Sequence, residues 1–144
     1  RQQHGIRIGE RTAEEIKCAI GAAVPELENE PEDYIFTGSN MLTNLPQTIT
    51  LNYSEIAYAL DKSLVKLDNA LMEVLEEMPP ELYSDVVKNG IYLAGGGALL
   101  RGLDKRLTDK INIPFHIAED PLLSVARGTG VALKNVDRFS FLMR

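Results

Sequence analysis

The chain has 144 residues, 44% apolar and 25% charged, with a formal net charge of −6. That is the composition of one globular domain or two small subdomains, not of a disordered segment, and the acidic balance argues against a nucleic-acid-binding face or a polybasic membrane contact. Cys18 is the one cysteine, which excludes a disulfide scaffold and a cysteine zinc site and points to a reducing compartment.

No apolar run approaches the roughly 20 residues of a membrane-spanning helix. Arg1-Gln2-Gln3-His4 has no apolar core behind it, so no secretory signal is expected, and a start without Met reads as an excised piece of a longer chain. Ile6 and Ile8 alternate like the end of a strand. Thr12-Ala13-Glu14-Glu15 has the form of a capping box and predicts a helix to about Ala23, stopped before Pro25. Ile16, Ala19, Ile20 and Ala23 share one face of it; Glu14, Lys17, Cys18 and Gly21 share the other. The polar face has two readings: a solvated surface carrying a local Glu–Lys pair, or a ligand-facing stripe in which a carboxylate and an ammonium grip hydroxyls and Gly21 admits a flat group.

Residues 25–33 form an acidic loop. Tyr34–Gly38 and Thr48–Leu51 are β-branched and aromatic, with Ser39, Asn40, Asn44 and Pro46 between them, which predicts a hairpin. Asn52 then offers a cap for a helix of roughly 25 residues, about 37 Å long, with Ile56, Leu60, Leu64, Leu67, Leu71, Val74 and Met78 on its apolar stripe. Pro79-Pro80 ends it, and Glu81–Lys88 reads as a short helix closed by Asn89-Gly90.

The stretch Ile91–Leu103 follows. A short apolar run enters Gly95-Gly96-Gly97 and continues into Leu100, Leu103, Leu107 and Ile111 at helical spacing, which predicts strand, tight turn and helix start. Glycines there let backbone approach a ligand closely, or serve only to pack a βα turn. Asn112 caps the helix, and Ile113–Ile117 is a second strand, making a parallel βαβ unit. Asp120-Pro121 predicts one more helix start. That helix contains Gly128-Thr129-Gly130, for which close packing against another backbone or a bend would account. Residues 139–144 read as a tail.

Other chemistry is absent from the sequence. Gly97 is not followed by a spaced Gly-Lys-Ser/Thr, and Leu100 stands where a third dinucleotide-loop glycine belongs. His4 and His116 have no metal-ligand partner at helical or hairpin spacing, and His116 is expected at a strand rim or half-buried. No acid–base pair stands out, so no catalytic residue and no metal ligand is assigned.

Ile8-Gly9-Glu10-Arg11-Thr12-Ala13-Glu14-Glu15-Ile16-Lys17 and Gly95-Gly96-Gly97-Ala98-Leu99-Leu100-Arg101-Gly102-Leu103-Asp104 together resemble signatures of MreB, the actin-like rod-shape family of bacteria. Ile113-Pro114, Ala118–Leu122 and Ala126–Gly130 are similar in the same order, so the resemblance covers about residues 5–138. It implies an α/β fold: a partial actin-like, ribonuclease-H-like lobe holding the βαβ unit, plus a small α+β subdomain. Residues 5–53 would be like subdomain IIB and 54–138 like part of subdomain IIA.

The resemblance further implies ATP or ADP as ligand. Glu14 and Lys17 would meet the ribose and adenine region, Gly95, Gly96 and Gly97 would receive the adenosine and nearby phosphate, and Ala98 and Leu100 would line the wall. Cys18 and Gly21 fall at positions that touch the adenine face in related ATPases. The family's phosphate loops and water-orienting acid precede these motifs, so magnesium and hydrolysis would belong to sequence outside this chain. The implied parent is a cytoplasmic ATPase at the inner face of the membrane that forms filaments and guides cell-wall synthesis. Its partners would be its own protomers, a RodZ-type membrane protein and the wall-synthesis machinery, with no nucleic acid and no membrane anchor in this segment. A second reading makes the segment chiefly an assembly module with a vestigial pocket, its strand edges open to pairing.

Overall fold

The computed structural model describes residues 4–139. Three strands, β1 (Ile6–Arg7), β2 (Tyr34–Asn40) and β3 (Pro46–Leu51), form an antiparallel sheet in that order. The β2–β3 register runs from Tyr34 opposite Leu51 to Ser39 opposite Pro46. The expected hairpin therefore extends two residues further along each strand, and Pro46 starts β3 at its turn end, where its missing N–H disturbs pairing least. Asn40 builds the turn: its Oδ1 accepts from the N–H groups of Leu42 and Thr43 at 2.8 and 3.1 Å.

Helix α1 (Glu10–Ile20) lies between β1 and β2 in the chain, and α2 (Tyr53–Glu76) follows β3. The α2 start is a full capping box, with Asn52 Oδ1 accepting from Glu55 N–H and the Glu55 carboxylate accepting from Asn52 N–H. At 24 residues it is about 36 Å long. After α3 (Pro80–Asn89), strands β4 (Ile91–Leu93) and β5 (Phe115–Ile117) pair in parallel around α4 (Leu103–Ile111), and α5 (Ser124–Lys134) closes the described chain.

Two apolar cores result. One gathers Ile16, Ile20, Ala22, Leu51, Tyr53 and Ala57; the other gathers Ala23, Leu64, Leu103, Leu107 and Phe115. They meet at consecutive residues, Ala22 and Ala23. Helix α2 reaches both, through Tyr53 and Ala57 at one end and Leu64 further along.

Several boundaries differ from the sequence expectation. Helix α1 starts at Glu10 behind Gly9, with no side-chain cap. Glu15 pairs with Arg11 one turn earlier, Nε to Oε1 3.0 Å, so the Thr12 capping box does not form. The helix stops at Ile20 rather than Ala23, because Ala22 and Ala23 leave it to bridge Arg101. Strand β5 is shorter than Ile113–Ile117. Helix α5 begins at Ser124 rather than after Asp120, whose carboxylate is taken by Arg127. A Cβ on Gly128 or Gly130 would meet nothing within 4 Å, so no other backbone among the described residues packs there. On α2, Leu67 and Val74 are exposed, and Asp68 occupies the buried stripe. His116 is exposed, its ring 5.2 Å from that of Tyr92. Of the expected tail, residues 140–144 lie outside the described residues.

Candidate functional site

Helix α1 presents Glu14, Lys17 and Cys18 together on its exposed face, because positions i, i+3 and i+4 coincide in azimuth. Lys17 Nζ stands 2.7 Å from Glu14 Oε2, and Cys18 Sγ lies 3.7 Å from Glu14 Oε1. The hydrogen bond from Lys17 holds the Glu14 carboxyl below its ordinary range, and the same bond raises the ammonium of Lys17. The pair is thus charged on both sides at neutral pH.

The fourth residue of that face, Gly21, is buried at the helix end, where its N–H donates to Lys17 O at 2.8 Å. A Cβ at Gly21 would fall 2.2 Å from that carbonyl oxygen and 3.0 Å from Leu100 Cδ1. The end of α1 therefore lies against the Leu100 side chain at the end of the glycine turn, and the contact that demands glycine is the one with the helix's own Lys17 carbonyl. Two residues on, Ala23 N–H donates to Arg101 O at 2.8 Å.

The glycine turn is not the start of α4. Gly95 takes φ +83° and its N–H donates to Pro121 O. Gly96–Leu99 then form a single 3-10 turn, and α4 begins at Leu103 behind a left-handed Gly102. The sequence expectation of glycines opening an α-helix is corrected accordingly: five residues of loop and 3-10 turn separate Gly97 from a helical dipole able to favour an anion. The break from the 3-10 turn into α4 lets Ala98 and Leu103 both be buried while Leu99 between them stays exposed. Ala98 turns inward and is 3% exposed, so it seats the turn and offers almost no surface to a ligand. Gly96 and Gly97 are exposed and Leu100 is half-buried. A Cβ at Gly95 or Gly97 would meet no atom within 4 Å, so the space beside their backbone is open.

The structure thus brings the end of the Glu14/Lys17 helix against the end of the glycine turn, from positions nearly 80 residues apart in sequence. It also shows a group that the sequence reading missed. Asp68 is 1% exposed and accepts from Arg106 Nη2 at 2.9 Å and Lys110 Nζ at 2.9 Å. Arg106 Nη1 donates to Asp61 Oδ1 at 2.8 Å and to the Ala23 carbonyl at 3.2 Å. Burial alone would raise the Asp68 carboxyl, but the bonds from Arg106 and Lys110 prevail and hold it below the usual carboxylate range. The signal was present: Leu64, Asp68 and Leu71 are i, i+4 and i+7, an acid inside an apolar stripe, and Arg106 and Lys110 share one face of α4.

Elsewhere, a groove of about 500 Å³ runs between the β5–α5 loop and α5, lined in part by Ala118, Asp120, Ser124 and Arg127. No cluster of three or more His, Cys, Asp or Glu placed to hold a metal occurs among the described residues, and no described helix is long and apolar enough to cross a membrane.

Residues 1–140 match the family model described as MreB/Mbl protein. The chain belongs to the MreB/Mbl family. It is 46% identical over 137 residues to the cell shape-determining protein MreB of Escherichia coli K12, covering 95% of this chain and 39% of that protein. It is 41% identical over 138 residues to the cell shape-determining protein Mbl of Bacillus subtilis, covering 96% of this chain and 41% of Mbl. This MreB/Mbl chain therefore spans about two fifths of the length of these relatives. Among solved structures, MreB5 of Spiroplasma citri bound to AMPPNP superposes with a TM-score of 0.89 at 36% identity, covering 96% of this chain and 41% of MreB5; its ADP-bound form gives 0.89 over 94%. A non-polymerising MamK mutant bound to AMPPNP, 18% identical with a TM-score of 0.63 over 85% of this chain and 36% of MamK, shares the fold. The α/β architecture is thus that of the actin-like proteins of this family, present in part.

Proposed function

We propose that this chain is a nucleotide-lobe segment of an MreB-type, ATP-binding, filament-forming protein that sets cell shape, and that it contributes the adenosine contacts. The observation that carries the reading is the junction of α1 with the glycine turn, Gly21 against Leu100 and Ala23 bonded to Arg101. The donor set fits a nucleoside. The Glu14 carboxylate is an acceptor for ribose hydroxyls and the Lys17 ammonium a donor beside it. Gly95 and Gly97 leave the space beside their backbone open to a ring or phosphate. The MreB5 neighbour carries AMPPNP or ADP in its solved forms, which supports the same ligand class here. Residues 5–53 form the smaller subdomain and 54–138 part of the larger one. Magnesium and the hydrolytic residues belong to sequence outside these 144 residues, so ATP turnover requires more than this chain. The parent acts in the cytoplasm at the inner face of the membrane, with RodZ-type and wall-synthesis partners by family resemblance.

Calorimetric titration tests the reading. ADP is expected to bind weakly, above micromolar Kd, and Glu14→Gln or Lys17→Met to weaken it about tenfold, which is 1.4 kcal/mol. Unchanged affinity in both variants would remove the assigned contacts.

A second reading, self-assembly, has its own observation. Strands β4 and β5 pair with each other and with no third strand among the described residues, and α5 has no buried residue while exposing Val125, Val131 and Leu133. Such edges and faces favour association with further copies. Sedimentation that stays monomeric at high concentration would exclude it.

A further inference from the structure

Two segments must hold a fixed relation if one nucleoside is to touch both Glu14/Lys17 and the glycine turn. The first is α1 with the loop residues 21–27 that leave it. The second is the glycine turn with α4, which it enters through Gly102. Apolar contact and one backbone bond join them: Ala23 shares a core with Leu103 and Leu107, a Cβ on Gly102 would fall 2.7 Å from Val24 Cγ2, and Ala23 N–H donates to Arg101 O at 2.8 Å. A single hydrogen bond fixes a distance more than it fixes an angle. The further directional connection is made by one side chain on α4.

Arg106 is that side chain, 15% exposed. Its Nη2 and Nε face Asp68 of α2, at 2.9 Å and 3.3 Å from Oδ2. Its Nη1 spans to Asp61 of α2 and to the backbone carbonyl of Ala23, which lies 83 residues away in sequence. One rigid guanidinium thereby ties three parts of the chain at once: α2, α4 and the loop that leaves α1. A lysine has no planar fork to do this; Lys110, beside it, reaches Asp68 alone. Asp68 is buried, so its carboxylate has no water to fall back on, and it keeps Arg106 in a single orientation.

We propose that Arg106 is a positioning residue for the nucleoside site, setting the angle between the Glu14/Lys17 face of α1 and the Gly95–Gly97 turn through its bond to the Ala23 carbonyl. The inference rests on the adenine-nucleotide reading above for its ligand, but the positioning can be measured without any ligand.

Cys18 is the chain's one cysteine and is exposed beside Lys17. Leu99 is exposed in the glycine turn. Nitroxide labels on Cys18 and on Leu99→Cys report the separation of the two segments by pulsed electron resonance. The expected result is one narrow distance distribution with Arg106 present, and a broadened or displaced one in Arg106→Lys and Arg106→Met, with helix content by far-ultraviolet dichroism unchanged. Arg106→Lys keeps the charge against Asp68, so it decides the matter where Arg106→Met fails to fold. An identical distribution in Arg106→Lys would overturn the proposal.

Titration of ADP into unlabelled protein supplies the second readout. About tenfold weaker binding in folded Arg106→Lys is expected, and unchanged affinity would overturn the link to the site. A parent chain that takes no ADP overturns the nucleotide reading and the ligand assigned here, while the distance measurement still decides whether Arg106 orients the two segments.

Discussion

Lys17 Nζ lies 2.7 Å from Glu14 Oε2 on the open face of α1, and each holds the other in its charged form. Solvent reaches both side chains freely, and an exposed pair of this kind adds little to folding because water screens it and both side chains lose rotamer freedom. Glu14→Gln and Lys17→Met are accordingly expected to leave the thermal midpoint unchanged while weakening ADP. A clear fall in midpoint would mean that the pair serves the fold.

Asp68 is the opposite case. Removing its charge leaves the largely buried Arg106 guanidinium with only the exposed Asp61 as a carboxylate partner. Asp68→Ala is expected to cost about 3–5 kcal/mol, the loss seen when one partner of a buried ion pair is deleted, measured by urea unfolding at neutral pH.

The same residue sets a pH dependence. Its folded pKa is depressed, so its contribution is fully present above the unfolded value of about 3.9 and is lost as pH falls through the lower folded value. Stability should therefore drop with acidification below about pH 4, and Asp68→Asn should flatten that part of the curve. Equal slopes in both proteins would place the acid lability elsewhere.

Glycine positions separate by environment. Gly102 has φ +71° with Val24 in the way of any Cβ, so Gly102→Ala is expected to destabilise by at least about 1–2 kcal/mol. Gly128 lies inside α5 with open space around it, so Gly128→Ala should stabilise this chain by about 0.8–1 kcal/mol. Differential denaturation of the two variants checks both signs.

Leu107 is fully buried in the second core. Leu107→Ala is expected to cost about 2–5 kcal/mol, read from the urea midpoint, and a smaller loss would mean that the core around α4 collapses into the space.

The elements most legible in the sequence were those with local causes. Asn52 and Glu55 announce α2, Asn40 and Pro46 the hairpin, and Asn112 the end of α4, because each uses chemistry within a few residues. Failures came where a competing partner, near or distant in sequence, prevailed. Glu15 pairs with Arg11 instead of capping, Ala22 and Ala23 leave α1 to bridge Arg101, and Asp120 gives its carboxylate to Arg127. Of the candidate site, the shared face of Glu14 and Lys17 followed from helical periodicity alone. The approach of Gly21 to Leu100 and the buried Asp68–Arg106 bond depend on residues 38 or more positions apart, which no local pattern encodes.

The most direct measurement is the backbone amide spectrum of the chain during titration with ADP. Shifts concentrated at Glu14, Lys17, Gly95, Gly96 and Gly97 are expected, moving together with one binding constant. No shift there, or shifts confined to Ala118, Asp120 and Arg127 in the other groove, would contradict a nucleoside held between α1 and the glycine turn.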